Sequence, residues 1–216
     1  SGVCQVLDTN ADIIANNAKN KIEVKYILDI RDFPDSPFKE KFTKSFDDIL
    51  YDKEVSIVVE TMGGLTPAYE FTRKCLFAGK SVITSNKELV ATHGAELLKI
   101  AQEKNVNYLF EASVGGGIPI IRPLSQCLAA NSLNEIYGIL NGTTNYILTE
   151  MINRGVSFED ALNEAKAKGY AEANPTADIE GHDVGRKICI LASLAFGNHV
   201  YPSSITMEGI TKITLR

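Results

Sequence analysis

The sequence predicts an α/β protein in which a doubly wound, Rossmann-type parallel sheet is followed by a second, smaller α+β domain. Between residues 22 and 131, short apolar segments alternate four times with helical patterns, and the connections are brief. This alternation is typical of parallel strands whose crossover helices cover both faces of a sheet. After residue 131, one strand-like segment precedes a run of helices, so we place the domain boundary between residues 130 and 131.

The strands of the first domain are predicted from β-branched or continuously apolar segments. The run Val55–Val59 is typical of a strand that is buried on both faces. The four predicted strands are Ile22–Ile30, Val55–Val59, Ser81–Thr84 and Val106–Phe110.

The helices of the first domain are marked by their ends. Pro67 favours the first turn of a helix, and Gly79 favours the end of the same helix. Ser45 and the pair Ser85-Asn86 are typical cap residues. The predicted helices are Val3–Asn17, Ser45–Leu50, Pro67–Phe77, one from the Ser85-Asn86 cap to Lys104, and one that begins after the glycines at 115–117 and ends near Asn131.

The second domain is predicted to contain one strand and three helices. Leu133–Leu140 alternates between apolar and polar residues, which indicates a strand. The turn at residues 141–145 caps a helix over Tyr146–Asn153. Ser157 and Asp160 resemble a capping box, and that helix ends at Gly169. The last helix runs from about residue 183 to residue 196.

The composition is that of an ordinary soluble globular protein. Of the 216 residues, 44% are hydrophobic and 23% are charged, and the chain is long enough to bury a substantial core. The net charge of -5 and the absence of a Lys/Arg block argue against a nucleic-acid-binding surface. The longest apolar run, Ile188–Phe196, is too short to span a bilayer. We therefore expect a small-molecule partner, not a nucleic acid or a membrane.

The cysteines and histidines predict neither a disulfide framework nor a zinc site. The four cysteines are far apart and include no CxxC pair, and the three histidines lack metal-ligand spacing. Buried free thiols in a reducing cytoplasm fit this distribution better than disulfides do. We therefore expect a cytoplasmic protein.

One stretch, Gly169–Lys187, concentrates ionisable side chains around a rigid turn. We interpret it as the wall of a site for a small zwitterionic substrate. Asp183 and Lys187 are four residues apart, so they share one face of a helix. They form either a surface ion pair or, in a cleft, a carboxylate beside a lysine that can exchange a proton with an alcohol. Glu172 is either a solvated loop acid or a partner for an ammonium group.

Three further motifs have both a structural and a functional interpretation. Lys87 follows a cap at the carboxyl end of a strand, where it is either solvated or reaches a ligand in the crevice. The glycines at 115–117, after Glu111, form either a flexible turn or backbone that approaches a hard cation. Gly142 and Thr143 either belong to a helix cap or offer amides to a carboxylate.

Four segments carry a resemblance to a known family: Thr84–Val90 (TSNKELV), Phe110–Pro123 (FEASVGGGIPIIRP), Gly138–Leu148 (GILNGTTNYIL) and Gly169–Ala192. In this order they closely resemble homoserine dehydrogenases. The resemblance implies NAD(P)-linked interconversion of L-homoserine and L-aspartate 4-semialdehyde, in threonine and methionine biosynthesis. It also implies that residues 1–130 bind the cofactor, that residues 131–216 bind the substrate, and that the second domain forms a homodimer.

The resemblance implies a role for each of two lysines. Lys187 resembles the group that exchanges a proton with the substrate oxygen. Lys87 resembles the lysine at the junction of cofactor and substrate, and it is the rival for proton transfer. Further cofactor contacts are implied for Thr61 and Gly169.

Substrate and cation sites are implied in the same way. Residues expected to bind homoserine are Glu172, Asp178 and Asp183, together with the helix-start amides of Gly142 and Thr143. A monovalent cation such as sodium is expected at Glu111, with backbone from Val114, Gly116 and Ile118.

Arg31 bears on the choice between NADP and NAD. It directly follows the predicted strand Ile22–Ile30, which corresponds to the second strand of the family's fold, where the ribose 2′-hydroxyl or 2′-phosphate of the cofactor would lie. An arginine suits NADP, whereas Asp29 would suit NAD. We expect Arg31 to contact the cofactor and NADP to be preferred.

The sequence departs from the family at both ends. The family opens with a strand and a GxGxxG loop that holds the pyrophosphate, and Ser1-Gly2-Val3 resembles the residues just after that loop. Thr206–Leu215 resembles the entry to further substrate-domain structure. We therefore expect a fragment in which both domains are incomplete. Two other hypotheses stay open: a catalytically silent binding or dimerising module, and another Rossmann-type amino-acid dehydrogenase.

Overall fold

The computed structural model describes residues 2–214 and divides into two compact units, the first ending at Ile57 and the second beginning at Val58. Each unit contains a parallel strand pair and helices, which confirms the predicted α/β class. The boundary between residues 130 and 131 stays a prediction. Ser1 and Leu215, at the outer ends of two segments discussed above, lie outside the described residues. None of the described helices combines the length and the apolar character needed to cross a bilayer.

The first unit contains a two-stranded parallel sheet in which Ile27 lies opposite Phe42 and Leu28 opposite Thr43. Its helices and strands are α1 (Gly2–Thr9), α2 (Ala11–Ala18), β1 (Ile27–Leu28), β2 (Phe42–Thr43) and α3 (Phe46–Leu50).

Two predictions for this unit are wrong in extent. The helix predicted over Val3–Asn17 is interrupted at Asn10, whose φ is -108°. Asp, Thr and Asn at positions 8–10 have low helix propensity, which favours an interruption at this point. The strand predicted over Ile22–Ile30 is reduced to β1, because a strand extends only as far as its partner, and β2 is equally short.

The second unit contains a three-stranded sheet of order β3-β4-β5, with Val82 opposite Tyr108 in the parallel pair β4-β5. Its strands are β3 (Ile57–Glu60, whose first residue belongs to the first unit), β4 (Ser81–Thr84) and β5 (Tyr108–Leu109). Its helices are α4 (Ala68–Phe77), α5 (Lys87–Lys104), α6 (Gly142–Arg154), α7 (Phe158–Ala167), α8 (Thr176–Ile179) and α9 (His182–Phe196).

Side chains of this sheet alternate between buried and exposed positions. Helices α4 and α5 pack on one face, where Val82, Thr84 and Tyr108 are buried. On the other face, Val59 is 41% and Ile83 37% exposed. The two faces alternate along each strand because successive side chains point in opposite directions. Val55–Val59 is therefore not a strand buried on both faces.

Helices α6 and α7 form a small apolar core. Ile147 and Met151 are four residues apart on α6, and Ala161 and Ala165 are four apart on α7, so each helix presents one face to the other. Both predicted caps are present. The Asn141 side chain accepts from the Thr144 amide, and the Ser157 hydroxyl accepts from the Asp160 amide.

The segment Leu133–Leu140 does not form the predicted strand. Its residues pair with no strand among those that the structure describes, although their alternation suits a sheet. Tyr137 is 87% and Ile139 77% exposed. A strand needs a neighbour for its backbone hydrogen bonds, and the described chain supplies none here.

The helix predicted between the glycines and Asn131 is shorter than expected. Gly115 and Gly117 have φ values of 65° and 81°, which a right-handed helix does not accommodate. The chain is helical over residues 121–127, where Pro123–Cys127 forms one turn of π-helix that lacks the amide hydrogen of Pro123 at its start.

The four cysteines are free thiols, as predicted, but they are not all buried. Cys4, Cys75 and Cys189 are buried. Cys127 is exposed, because it lies in the π-helical turn that replaces the expected longer helix.

Candidate active site around Asp183

Asp183 is a buried carboxylate, 4% exposed, on which three donors converge. Its Oδ1 lies 2.9 Å from Lys87 Nζ, and its Oδ2 lies 2.7 Å from Lys187 Nζ. The Asn141 side-chain amide donates to Oδ2 at 2.8 Å. We call Asp183, Lys87, Lys187 and Asn141 the Asp183 cluster.

Three helices position these side chains. Asp183 and Lys187 are one turn apart on α9, so both point to the same side. Lys87 is the first residue of α5, directly beyond the carboxyl end of β4, and α5 packs against α9. Asn141 is the N-cap of α6, where its Oδ1 accepts from the Thr144 amide at 2.8 Å and its Nδ2 is free to reach Asp183.

The charge of Asp183 is stabilised by its partners. Burial by itself would raise the pKa of this carboxyl group. Hydrogen bonds from Asn141, Lys187 and Lys87 outweigh burial, so the pKa of Asp183 lies below its usual value. The residue is therefore a carboxylate at neutral pH, and it fixes two ammonium groups in place.

Lys187 is the less exposed of the two lysines. Its side chain is 16% exposed, against 38% for Lys87. Besides Asp183, Lys187 Nζ donates to the backbone carbonyl of Leu140 at 2.7 Å. An ammonium group has three N–H donors, so the contacts described leave one for a ligand.

Asp178 joins the cluster through Asn141. The second N–H of the Asn141 amide donates to Asp178 Oδ1 at 2.6 Å. One side-chain amide therefore bridges two carboxylates that lie on different helices, α8 and α9.

The start of α6 offers two amides. The cap satisfies the Thr144 amide, whereas those of Gly142 and Thr143 have no hydrogen-bond partner among the described residues. The first N–H groups of a helix lack intrahelical partners and favour anions. The Thr143 hydroxyl donates to the Tyr170 carbonyl at 2.7 Å and ties this start to the loop after α7.

Glu172 and Gly169 lie in the loop between α7 and α8. Both are exposed, and Gly169 has a φ of 74°. No contact is found between either residue and the Asp183 cluster among the residues that the structure covers. The structure thus brings together Lys87, Lys187, Asp183 and Asp178, but it does not bring Glu172 to them.

The sequence analysis did not predict the buried hydrogen-bond network that joins the ends of β3 and β4. Glu60, at the end of β3, is 4% exposed and accepts from the Met62 amide at 2.6 Å and from the Thr84 hydroxyl. The Thr84 oxygen accepts from the Asn86 amide at 2.9 Å, and the Asn86 side chain donates to the Gly64 carbonyl at 2.6 Å. The sequence signal for this network was Glu60, a single acidic residue at the end of an apolar segment. A buried carboxylate needs hydrogen-bond partners, so such a residue indicates a network.

This network fixes the loops that follow β3 and β4. Thr61 is exposed on the first loop, and Lys87 begins the helix after the second. A Cβ added at Gly63 or Gly64 would meet nothing within 4 Å, so their backbone is open to close approach. An open backbone loop at the carboxyl end of a strand fits a dinucleotide.

Glu111 binds backbone amides. Its Oε1 accepts from Ile120 and Ile121 at 2.9 and 3.0 Å, and its Oε2 accepts from Arg122 at 2.8 Å. A carboxylate has about four acceptor positions, so about one is left for a cation. Among the described residues, no group of three or more His, Cys, Asp and Glu side chains could hold a metal ion.

Arg31 lies in the first unit and is bound to Asp29. Its Nε and Nη2 donate to the two Asp29 oxygens at 3.0 and 2.8 Å. These hydrogen bonds lower the pKa of Asp29 to about 2. The arginine side chain remains 73% exposed, so its outer surface is accessible.

Comparisons with known proteins give one consistent result. The family model described as "Homoserine dehydrogenase, NAD binding domain" matches residues 2–111, and the one described as "Homoserine dehydrogenase" matches residues 119–216. Homoserine dehydrogenase from Pseudomonas aeruginosa is 44% identical over 214 residues, which are 99% of this chain and 49% of that protein.

Solved structures agree. The homoserine dehydrogenase of Thiobacillus denitrificans superposes with a TM-score of 0.90 at 41% identity, covering 97% of this chain and 49% of that one. A hyperthermophilic archaeal homoserine dehydrogenase mutant, solved in complex with NADPH, has a TM-score of 0.74 at 29% identity, covering 94% of this chain and 59% of that one. The chain spans about half the length of the curated relatives it matches.

Proposed function

The chain belongs to the homoserine dehydrogenase family, and on this premise we propose that it forms the cofactor-binding part and the catalytic Asp183 cluster of an enzyme of its relatives' length. This full-length enzyme interconverts L-homoserine and L-aspartate 4-semialdehyde with a nicotinamide cofactor, in threonine and methionine biosynthesis. The observation that supports the proposal best is the convergence of Lys87 and Lys187 on the buried carboxylate of Asp183.

Lys187 is the proposed proton donor and acceptor at the substrate oxygen. Asp183 and the Leu140 carbonyl orient its ammonium group, which keeps one N–H for that oxygen. A positioned acid–base group typically accelerates a reaction about 10²–10⁴-fold. Lys87 is the rival for this role, because it binds the other oxygen of the same carboxylate.

The remaining polar groups suit a zwitterionic amino acid. The Gly142 and Thr143 amides at the start of α6 bind the substrate carboxylate. Asp178 and Glu172 attract the ammonium group of the substrate. Asp183 takes part in substrate binding by holding Lys87 and Lys187 in position. Glu172 is proposed to act from the exposed loop between α7 and α8.

The nicotinamide cofactor, when bound, supplies the hydride chemistry. Thr61, Gly169 and Lys87 are the proposed contacts, with the open backbone of Gly63 and Gly64 beside Thr61. Arg31 binds the 2′-phosphate, and NADP is the preferred cofactor. Support comes from the exposed Arg31 side chain and from the archaeal relative that binds NADPH.

A monovalent cation such as sodium is proposed at Glu111, with backbone from Val114, Gly116 and Ile118. One acceptor position of the Glu111 carboxylate remains for it. The full-length enzyme is also proposed to be a homodimer, which sedimentation would test. A monomer at micromolar concentration would contradict the dimer.

Homoserine-dependent reduction of NADP and NAD, followed by absorbance on the full-length enzyme, tests the central proposal. We expect reduction of both cofactors and a lower KM for NADP. No reduction of either would overturn the proposal, and a lower KM for NAD would overturn only the assignment of Arg31.

A further inference from the structure

The N-terminal turns of α5 and α9 are joined by two ion pairs of opposite polarity. Lys87 and Glu88 are adjacent on α5, and Asp183 and Arg186 are three residues apart on α9. Lys87 pairs with Asp183 at 2.9 Å, and Arg186 Nη2 donates to Glu88 Oε1 at 2.7 Å. Each helix therefore contributes one cation and one anion to the contact.

Arg186 is within reach of a second carboxylate. Residues three apart on a helix are surface neighbours, with Cβ atoms about 5–6 Å apart, so Arg186 can approach Asp183. A guanidinium presents a planar fork of N–H donors that matches a carboxylate better than an ammonium group does. If Glu88 did not bind it, Arg186 would compete with Lys87 and Lys187 for Asp183.

We infer that Glu88 is a positioning residue, which holds Arg186 away from Asp183 and so leaves that carboxylate to the two lysines. The inference rests on the proposed function, in which these lysines meet the substrate and the cofactor. The side chains of Glu88 and Arg186 are 32% and 29% exposed, so either can be replaced without opening the apolar core.

A purely structural ion pair predicts a different pattern of mutants. If the pair only held α5 against α9, neutralising either partner would remove the same interaction. Glu88→Gln, Arg186→Gln and the double variant would then be equally impaired. Competition makes the partners unequal, because Glu88→Gln releases a competitor whereas Arg186→Gln removes it.

Turnover of the full-length enzyme distinguishes competition for Asp183 from a purely structural ion pair. We expect Glu88→Gln to lower kcat about tenfold, and Arg186→Gln to stay within about twofold of the wild type. The double variant should recover to within about twofold, and Glu88→Asp, which keeps the charge, should retain most activity. Glu70→Gln is the matched control, because it breaks the exposed Glu70–Lys74 pair on α4 without releasing an arginine near Asp183.

A second measurement needs no activity. Acetic anhydride labelling of Lys87 and Lys187, quantified by mass spectrometry on the cofactor-free proteins, reports how well these amines are held. Labelling should be faster in Glu88→Gln and should return to the wild-type rate in the double variant. Unchanged labelling in Glu88→Gln, or equal loss of kcat in all three variants, would overturn the inference. An inactive wild-type enzyme would refute the proposed function, and labelling would still decide the role of Glu88.

Discussion

Two carboxylates in this molecule have similar partners and different surroundings. Asp183 on α9 binds two lysines and an asparagine amide, and its side chain is 6% exposed. Glu164 on α7 binds Arg154 and Lys168, each at 2.7 Å, and accepts from the Tyr146 hydroxyl at 3.0 Å. The side chain of Glu164 is 28% exposed.

Burial changes what the same pattern of charges does at these two sites. In both places an acid is followed by a lysine four residues later on the same helix. Water competes for the Glu164 contacts, so that group is expected to support the α6–α7 pair only weakly. Around Asp183 water is largely excluded, so the carboxylate holds its lysines in defined positions where a ligand can use them.

The largest contrast is expected between the two lysines of these i, i+4 pairs. Lys187→Ala in the full-length enzyme should lower kcat by about 10²–10⁴-fold, because the positioned acid–base group is lost. Lys168→Ala should leave turnover near the wild-type value. Homoserine-dependent reduction of NADP, with cofactor binding measured by fluorescence, makes the comparison. Near-normal turnover in Lys187→Ala would refute the role we give that lysine.

Neutralising Asp183 should destabilise the protein more than neutralising Glu164. Asp183→Asn removes the charge that partly buried Lys187 faces, and we expect the free energy of unfolding to fall by about 2–3 kcal/mol. Glu164→Gln should cost less, because water solvates Arg154 and Lys168 when they lose their partner. Urea denaturation of both variants tests this. Equal losses would mean that burial does not distinguish the two sites.

The caps of α6 and α7 should also differ in their effects on stability and turnover. Asn141→Ala removes the cap of α6 and the amide that bridges Asp178 and Asp183, so both stability and turnover should fall. Ser157→Ala removes only the cap of α7, which should cost about 1 kcal/mol and leave turnover unchanged. Thermal unfolding and kinetic assays on the same samples give both quantities. Normal turnover in Asn141→Ala would show that the amide is only a cap.

The smallest expected effect is a pH dependence at Glu164. Hydrogen bonds from Lys168, Arg154 and Tyr146 lower the pKa of this carboxyl group from 4.5 to about 2. Because the folded-state pKa is the lower one, the group stabilises the fold above pH 4.5, and that contribution is lost as the pH falls toward 2. Urea midpoints between pH 7 and pH 3 should therefore fall less steeply in Glu164→Gln. An identical slope in wild type and variant would contradict this.

Much of the fold could be predicted because local signals and tertiary structure agree. The caps Asn86 and Ser157 located the starts of α5 and α7 within one residue, as their side-chain hydrogen bonds show. The cap Asn141 is also present, although α6 begins four residues before the predicted start at Tyr146. Predictions failed where the structure of a segment depends on another segment that pairs with it. Leu133–Leu140 alternates as a strand does, yet the described chain offers it no neighbour.

The candidate site was predictable in part for the same reason. The spacing of Asp183 and Lys187 revealed their shared face, and the position of Lys87 after β4 revealed its direction. The link from Asn141 to Asp178, the carbonyl of Leu140 and the pair Glu88–Arg186 join residues that are 37, 47 and 98 positions apart, and no local pattern records such contacts.

The hydrogen bond from Lys187 to the Leu140 carbonyl does not depend on which amino acid occupies position 140. Every amino acid carries a backbone carbonyl, so replacing Leu140 changes a side chain and leaves the acceptor in place. Position 140 can therefore vary among descendants of this sequence while it continues to hold the lysine. Saturation mutagenesis would score it as permissive, whereas an ester in place of the following peptide bond would weaken the acceptor and reveal its contribution.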